Sequence, residues 1–151
     1  MTALLLPLLL FQAAPVITAS AHPGPARPAA VPVTVVVSAL ASTQSVVKLN
    51  FYNTSDTFLK DGGQVMRLLV RPAGKNTITV PVELPPGEWA VALTQDTNNN
   101  DLLDKNFLGI PTEPYAFSNN VRPRFAAPKF EECKFMVSEP GMVINIALKE
   151  K

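Results

Sequence analysis

Apolar residues recur at every second position in a series of short runs, and this period of two commits most of the chain to β structure. In residues 45–52, Val47, Leu49 and Phe51 fall on one side of a strand, and Lys48 and Asn50 fall on the other. Comparable runs occupy residues 33–40, 66–71, 77–84, 89–94, 132–137 and 142–148. Turn-forming Gly, Pro, Asn and Asp residues separate the runs. About seven such strands predict an all-β, antiparallel β-sandwich with long loops.

Three residues within these runs support more specific predictions. Pro81 falls on the outward side of residues 77–84, and because proline cannot donate to a sheet ladder, this strand is expected at a sheet edge or at a bulge. Trp89 is expected to anchor the core. Cys133 is the one cysteine, so no internal disulfide can form, and we expect a buried, inert thiol within a strand.

The N-terminal region predicts export. An apolar run at residues 4–11 is too short to span a bilayer comfortably, and Ala19-Ser20-Ala21 fits an A-x-A cleavage signal. We predict a signal peptide at residues 1–21, a Pro/Ala-rich linker at 22–31 and the β-sandwich domain at 32–151, with no membrane span left after cleavage. The expected location is periplasmic or extracellular. An uncleaved apolar tail is the alternative, since no Lys or Arg precedes the apolar run.

Charge and histidine content narrow the classes of function. A formal net charge of +1 gives no electrostatic case for a nucleic-acid partner. The single histidine, His22, lies in the predicted linker. The predicted domain therefore lacks the histidine that Ser-His-Asp and Cys-His hydrolases and His-ligated zinc sites require. The remaining carboxylates, amides and hydroxyls suit a hard cation or a carbohydrate better than catalysis.

A candidate calcium loop follows the run that contains Trp89. Residues 96–104 read D-x-N-x-N-x-x-x-D. Calcium takes six to eight oxygen ligands, and in an EF-hand loop they come from alternate positions. The residues that would occupy positions one, three, five, seven (through a backbone carbonyl) and nine are Asp96, Asn98, Asn100, Leu102 and Asp104.

The loop is only part of an EF-hand, because its twelfth position is Phe107, which has no carboxylate. Glu113, or the side-chain carbonyl of Asn119 or Asn120, could close the coordination sphere. Affinity should be modest, on the order of 10⁻⁴ to 10⁻³ M. The alternative is an Asx-rich turn whose side chains bond their own backbone and bind no metal.

Two further segments have both a functional and a structural interpretation. Ser118, Asn119 and Asn120 form a candidate ligand loop for a metal or a glycan, or else a polar loop that satisfies buried backbone groups. Basic and aromatic residues at 122–130 could form an anion patch, although an ordinary solvated surface is the simpler interpretation.

Four motifs together resemble the bacterial exported family known as domain of unknown function 2141. They are L-P-P-G-E-W-A-V-A-L at 84–93, the loop at 96–104, N-F-L-G-I-P at 106–111 and Y-A-F-S-N-N at 115–120. The resemblance runs from about residue 33 to residue 148 and implies an exported, sandwich-like domain with no settled activity. The turn at 84–89 is also similar to transthyretin-like and carboxypeptidase-regulatory-like sandwiches, an analogy of fold alone.

The chain departs from this family at two positions. Gln95 stands where the family usually has His, and Asp101 stands where it usually has Gly. If the second site requires a positive φ, Asp is a tolerable substitute.

Three functional hypotheses follow. The first is an exported, non-enzymatic module with a low-affinity calcium loop that acts in binding or adhesion at the cell envelope, with carbohydrate or an envelope protein as candidate partners. The second is a structural accessory domain of the envelope without metal. The third is a glycoside hydrolase that uses Asp104 with Glu113 or Asp96 as its acid/base pair.

Overall fold

The computed structural model describes residues 29–109 and 111–148, which form two β-sheets packed face to face. The predicted signal peptide and residues 22–28 of the predicted linker lie outside the described residues. The elements are β1 Val31–Ser38, β2 Val46–Tyr52, β3 Met66–Val70, β4 Ile78–Leu84, β5 Gly87–Asp96, β6 Tyr115–Phe117, a 3₁₀ turn Ser118–Asn120, α1 Phe130–Cys133, β7 Phe135–Val137 and β8 Met142–Ala147.

The smaller sheet has the strand order β4-β1-β8. Strand β1 is antiparallel to β4, with Val35 opposite Val80, and parallel to β8, with Val35 opposite Ile144. The sequence led us to expect a purely antiparallel sandwich, and the parallel β1–β8 pair shows that this expectation was wrong. Strand β4 lies at the edge and Pro81 is exposed there, which confirms the prediction from its missing N–H.

The larger sheet has the order β3-β2-β5-β6, and β7 pairs with the first residues of β5. All of its pairs are antiparallel. Among the described residues there are thus eight strands where about seven were predicted, and the all-β sandwich is confirmed. The ten-residue β5 is the central strand and leads directly into the candidate calcium loop.

The core lies between the two sheets. Val47, Leu49 and Phe51 of β2 are fully buried, as their alternation predicted. Trp89 is buried in the same cluster, and its indole N–H donates to the carbonyl of Pro85 at 2.9 Å. The predicted role of Trp89 as a core anchor is confirmed, with its one polar atom satisfied.

Residues 130–133 form a short helix and not the strand that the sequence suggested. In a helix, positions three apart share a face, so Phe130 and Cys133 both turn inward while the two glutamates between them stay exposed. The sequence suggested a strand because Cys133, Phe135 and Val137 alternate, which extends the period of two of β7 back into the helix. The Cys133 thiol is buried as expected, and burial, with a smaller effect of the Glu132 charge, raises its pKa to about 11.

The side of the larger sheet that faces away from the core, here called the outer face, is partly covered by loops and α1. At one end of it, small Ala90 and Ala92 leave room for a second apolar cluster, with Tyr52, Phe58, Phe117, Phe130 and Cys133. At the opposite end β5 stops at Asp96. Within residues 29–109 and 111–148, no helix has the length and apolar character needed to cross a membrane.

Candidate functional site

A buried ion pair stands at the start of the candidate loop. The β2–β5 register sets Val46 opposite Asp96 and Lys48 opposite Thr94, so Lys48 and Asp96 are diagonal neighbours on the outer face. Both side chains are almost fully buried, and the Lys48 Nζ lies 2.8 Å from Asp96 Oδ2. The same ammonium contacts Asp101 Oδ1 at 3.1 Å and donates to the Leu102 carbonyl at 3.5 Å. Alternation alone placed Lys48 on the outer face but gave no sign of its burial.

The Asp96 carboxylate also organises the turn that follows. Its Oδ1 accepts the Asn100 N–H at 3.1 Å and its Oδ2 accepts the Asp101 N–H at 2.8 Å. Burial raises the pKa of Asp96, but the hydrogen bond from Lys48 and these two backbone bonds outweigh that effect. The pKa therefore lies below its ordinary value. Asp96 is consequently a carboxylate throughout the physiological range.

Three of the other predicted ligands meet in the loop. Asn98 Nδ2 donates to Asp104 Oδ2 at 2.6 Å, and Asn100 Nδ2 donates to Asp104 Oδ1 at 3.1 Å. The amide oxygens of the two asparagines accept backbone N–H groups of Asn100 and Leu102. Because an asparagine carries both a donor and an acceptor, a rotation about its terminal bond would present oxygen toward Asp104 in place of nitrogen.

The loop needs left-handed backbone at two positions. Asn99 has a φ of 57° and Asp101 a φ of 62°. Asn and Asp enter this region more readily than other residues with a Cβ, so Asp101 is tolerated as anticipated. Asp101 Oδ1 also lies 2.8 Å from Arg67 Nη2. The hydrogen bond and charge of Lys48, followed by the charge of Arg67, lower the pKa of Asp101.

Glu113 approaches the loop from the segment before β6 and is buried. Its Oε1 accepts the Thr97 N–H at 3.0 Å, whereas its Oε2 is buried without a hydrogen-bond partner among the described residues. Burial raises the pKa of Glu113, and the charges of Asp96 and Asp104 raise it further, against the hydrogen bond from the Thr97 N–H and a weaker backbone contact from Asp104. A buried carboxyl oxygen without a partner costs free energy that a water or an ion would recover.

The structure separates the candidate ligand loop from this cluster. Ser118 Oγ donates to the Cys133 carbonyl at 2.6 Å and accepts the Val91 N–H at 2.9 Å. Val91 precedes Asp96 by five residues, which is about 16 Å along a strand. Asn119 and Asn120 are therefore not brought to the loop to close a metal sphere, and Glu113 is the predicted closing residue that lies there.

The two asparagines instead bond backbone groups. Asn119 Nδ2 donates to the carbonyls of Glu132 and Lys134, which flank the end of α1. Asn120 donates to the Asn145 carbonyl and accepts the Ala147 N–H of β8. These are the contacts expected if residues 118–120 form a polar loop that satisfies backbone groups.

Gln95 serves a comparable purpose on the core side of β5. It is fully buried, and its Oε1 accepts the N–H groups of Ala41 and Ser42 at 2.8 and 3.2 Å. Its Nε2 donates to the Ser42 carbonyl. Gln95 therefore fixes the β1–β2 connection through backbone contacts.

Carboxylates alone do not make a metal site here. Over residues 29–109 and 111–148, no group of three or more His, Cys, Asp or Glu side chains is arranged to hold a metal ion. A cation in this loop would depend on amide and carbonyl oxygens as well, which is the chemistry of a hard cation such as Ca²⁺.

Residues 35–145 match the family described as an uncharacterized protein conserved in bacteria (DUF2141). The match covers most of the chain, which therefore belongs to this family, and the resemblance found in its motifs is confirmed. Neither the curated proteins nor the solved structures gave a match.

Proposed function

We propose that this member of the DUF2141 family is an exported, non-enzymatic module that binds Ca²⁺ in the loop at 96–104 and acts in binding or adhesion at the cell envelope. One observation carries the calcium assignment. Glu113 Oε2 is buried without a described hydrogen-bond partner, close enough to Asp96 and Asp104 for their charges to raise its pKa. A divalent cation would provide the missing partner and offset the repulsion among the three carboxylates.

The ligand set would supply one oxygen each from six residues, the lower limit of what calcium accepts. These residues are Asp96, Asn98, Asn100, Leu102 (through its carbonyl), Asp104 and Glu113. Lys48 already contacts Asp96 and the Leu102 carbonyl, so its ammonium competes with the ion for two of the six. This competition supports weak binding, on the order of 10⁻⁴ to 10⁻³ M, as in extracellular modules.

The test is thermal unfolding of the purified protein with 10 mM CaCl₂, with MgCl₂ at the same concentration, and with EDTA. At that concentration, binding in the proposed range stabilises the folded state by about 1.4–2.7 kcal/mol. For a domain of this size that corresponds to a rise in Tm of about 5–10 °C. Glu113→Gln should lose most of the rise, while Glu83→Gln, on the exposed side of β4, should keep it. An absent rise, or the same rise with magnesium, would refute the calcium assignment.

Lys48 favours a second candidate, the structural envelope domain. Its ammonium is a tethered cation that already neutralises Asp96 and Asp101. In this alternative the loop is a turn closed by an internal ion pair, and the unfolding temperature is insensitive to calcium.

The arrangement gives little support to a glycoside hydrolase, which requires two carboxylates that face each other across a cleft. Asp96 is held by Lys48, and Glu113 is buried with one oxygen on the Thr97 N–H. Neither carboxylate is presented to a substrate.

A further inference from the structure

A groove of about 680 Å³ lies on the outer face, between the candidate calcium loop and the second apolar cluster. Its floor is formed by β2, β5 and β6, and its walls by the segments 59–64, 103–109 and 123–128. This volume is within the range typical of small-molecule sites, about 300–1,000 Å³. The groove includes none of the six residues of the calcium proposal.

The floor presents polar groups that have no hydrogen-bond partner among the described residues. Asn50 of β2, Thr94 of β5 and Gln64 line the groove and are half-buried. Their side chains make no hydrogen bond with any residue in the part of the chain that the structure describes. Amides and hydroxyls placed in this way fix the orientation of a polar ligand by hydrogen bonding to it.

The walls are apolar and partly aromatic. Tyr115 is half-buried beside the floor, and Leu59 and Leu103 line the sides. At the rim, Phe125 is fully exposed and Leu108 is 67% exposed. Large apolar side chains that are exposed around a concavity are unusual on a soluble protein and indicate a contact surface.

The charge of the lining is predominantly positive. Lys60, Lys105 and Arg124 line the groove and are exposed, and none of them pairs with an acidic group among residues 29–109 and 111–148. Arg67 also lines it but is engaged with Asp101. Asp61 is the single carboxylate in the described lining. Unpaired cations at the edge of a polar cleft attract an anionic ligand and can form charge-assisted hydrogen bonds with it.

We propose that this groove binds a short acidic oligosaccharide. The sugar hydroxyls meet the free amides and hydroxyl of the floor, the C–H faces of the rings pack against Tyr115 and Phe125, and the acid groups pair with Lys60, Lys105 and Arg124. The assignment rests on the proposed role as a binding module, for which it names the ligand class, but it does not depend on calcium.

The test is isothermal titration calorimetry of the whole protein with oligosaccharides of galacturonic acid and with neutral galactose oligosaccharides of the same length. Sulfated and phosphorylated oligosaccharides complete the panel, and inorganic phosphate controls for simple anion binding. We expect binding of an acidic oligosaccharide at least about tenfold tighter than that of its neutral counterpart. Lys60→Glu and Arg124→Glu should each weaken it about tenfold, whereas Lys75→Glu, an exposed lysine outside the groove, should not.

A floor variant separates recognition of the sugar from charge alone. Thr94→Val keeps the shape of the side chain but removes its hydroxyl, and should weaken binding about fivefold, the effect of one hydrogen bond. Equal binding of neutral and acidic sugars, equally tight inorganic phosphate, or no binding of any acidic sugar would each overturn the proposal. So would binding to vesicles of anionic phospholipid without binding of soluble sugar, which would assign the exposed rim to a membrane surface.

The same titrations with calcium, with EDTA and with Glu113→Gln keep the two proposals distinguishable. Sugar binding that persists in EDTA and in the variant, with no calcium-dependent rise in Tm, would refute the metal site and support the groove. A calcium-dependent rise without sugar binding would refute the groove and support the metal site.

Discussion

Replacement of Lys48 by methionine is expected to separate two roles of its ammonium: ion-pair partner of Asp96, and competitor of calcium for the oxygens of the loop. Methionine keeps most of the length of the side chain and removes the charge. In the native protein this charge lies 2.8 Å from Asp96, and both side chains are nearly excluded from solvent. Asp101 keeps its bond to Arg67, so the uncompensated charge after substitution is that of Asp96.

The expected loss of stability follows from the cost of removing only one partner of a buried ion pair. Removal of one partner of a buried ion pair costs about 3–5 kcal/mol, because the other charge is left in the protein without compensation. Asp96 retains the N–H groups of Asn100 and Asp101, so the lower end, about 3 kcal/mol, applies. At about 4 °C per kcal/mol for a domain of this size, Tm in EDTA should fall by about 12 °C.

The assay is thermal unfolding of Lys48→Met beside Lys75→Met, a control in which an exposed lysine without an ion pair among the described residues is changed in the same way. Because Lys48 competes with calcium for oxygen atoms, 10 mM CaCl₂ should raise Tm more in Lys48→Met than in the native protein. Two results would refute this reasoning. One is a Tm in EDTA within about 3 °C of the control, and the other is a calcium response that is smaller in Lys48→Met than in the native protein.

Three further predictions concern packing and titration. Gly63→Ala should lower the free energy of unfolding in urea by about 1–3 kcal/mol, because the new Cβ would overlap the Thr57 carbonyl; an unchanged free energy of unfolding would contradict this. The Cys133 thiol, with its pKa of about 11, should resist iodoacetamide at pH 8 until the protein is unfolded, and rapid labelling of the native protein would contradict its burial. The pKa of Asp96 is lowered on folding, so the stabilisation that its carboxylate gives the folded state is complete above the unfolded-state pKa of about 3.9 and is lost as pH falls through the lower folded-state pKa. Urea titrations from pH 6 to 2 should show this loss of stability, and Asp96→Asn should abolish the pH dependence.

The period of two was sufficient to predict which side chains enter the core, because alternation is a local property of a strand. It assigned Val47, Leu49 and Phe51 correctly, and the missing N–H of Pro81 correctly indicated an edge. The direction of strand pairing is not local. The parallel pairing of β1 with β8 joins the two ends of the domain, and no feature of either run distinguishes it from an antiparallel pair.

In the candidate site, too, local features could be predicted from the sequence and long-range pairing could not. The spacing of Asp96, Asn98, Asn100 and Asp104 predicted a polar loop; Asn98 and Asn100 contact Asp104 there, while Asp96 accepts backbone N–H groups, and these contacts lie within nine residues. The burial of Lys48 could not be predicted, because it depends on the register between β2 and β5, whose paired residues are 38 to 50 positions apart in the chain. A lysine beside an asparagine on an alternating strand is usually solvated, and only the paired strand and the returning loop enclose this one.

The outer face owes its three regions to the outward residues of β5. After exposed Glu88 these are in order Ala90, Ala92, Thr94 and Asp96, so from Ala90 the side chain changes from small and apolar to polar and then to charged within seven residues. The two alanines admit the aromatic cluster, Thr94 leaves a hydroxyl on the groove floor, and Asp96 fixes the loop. Ala92 belongs to both the cluster and the groove, whereas Asp96 belongs to neither. The groove also shares Tyr52 and Phe117 with the apolar cluster, and it meets the loop at Leu103 and through Arg67, which binds Asp101. None of the six proposed calcium ligands lines the groove, so the binding of a ligand in the groove and the binding of calcium are expected to respond to different substitutions, such as those at Thr94 and at Asp96 on the same strand.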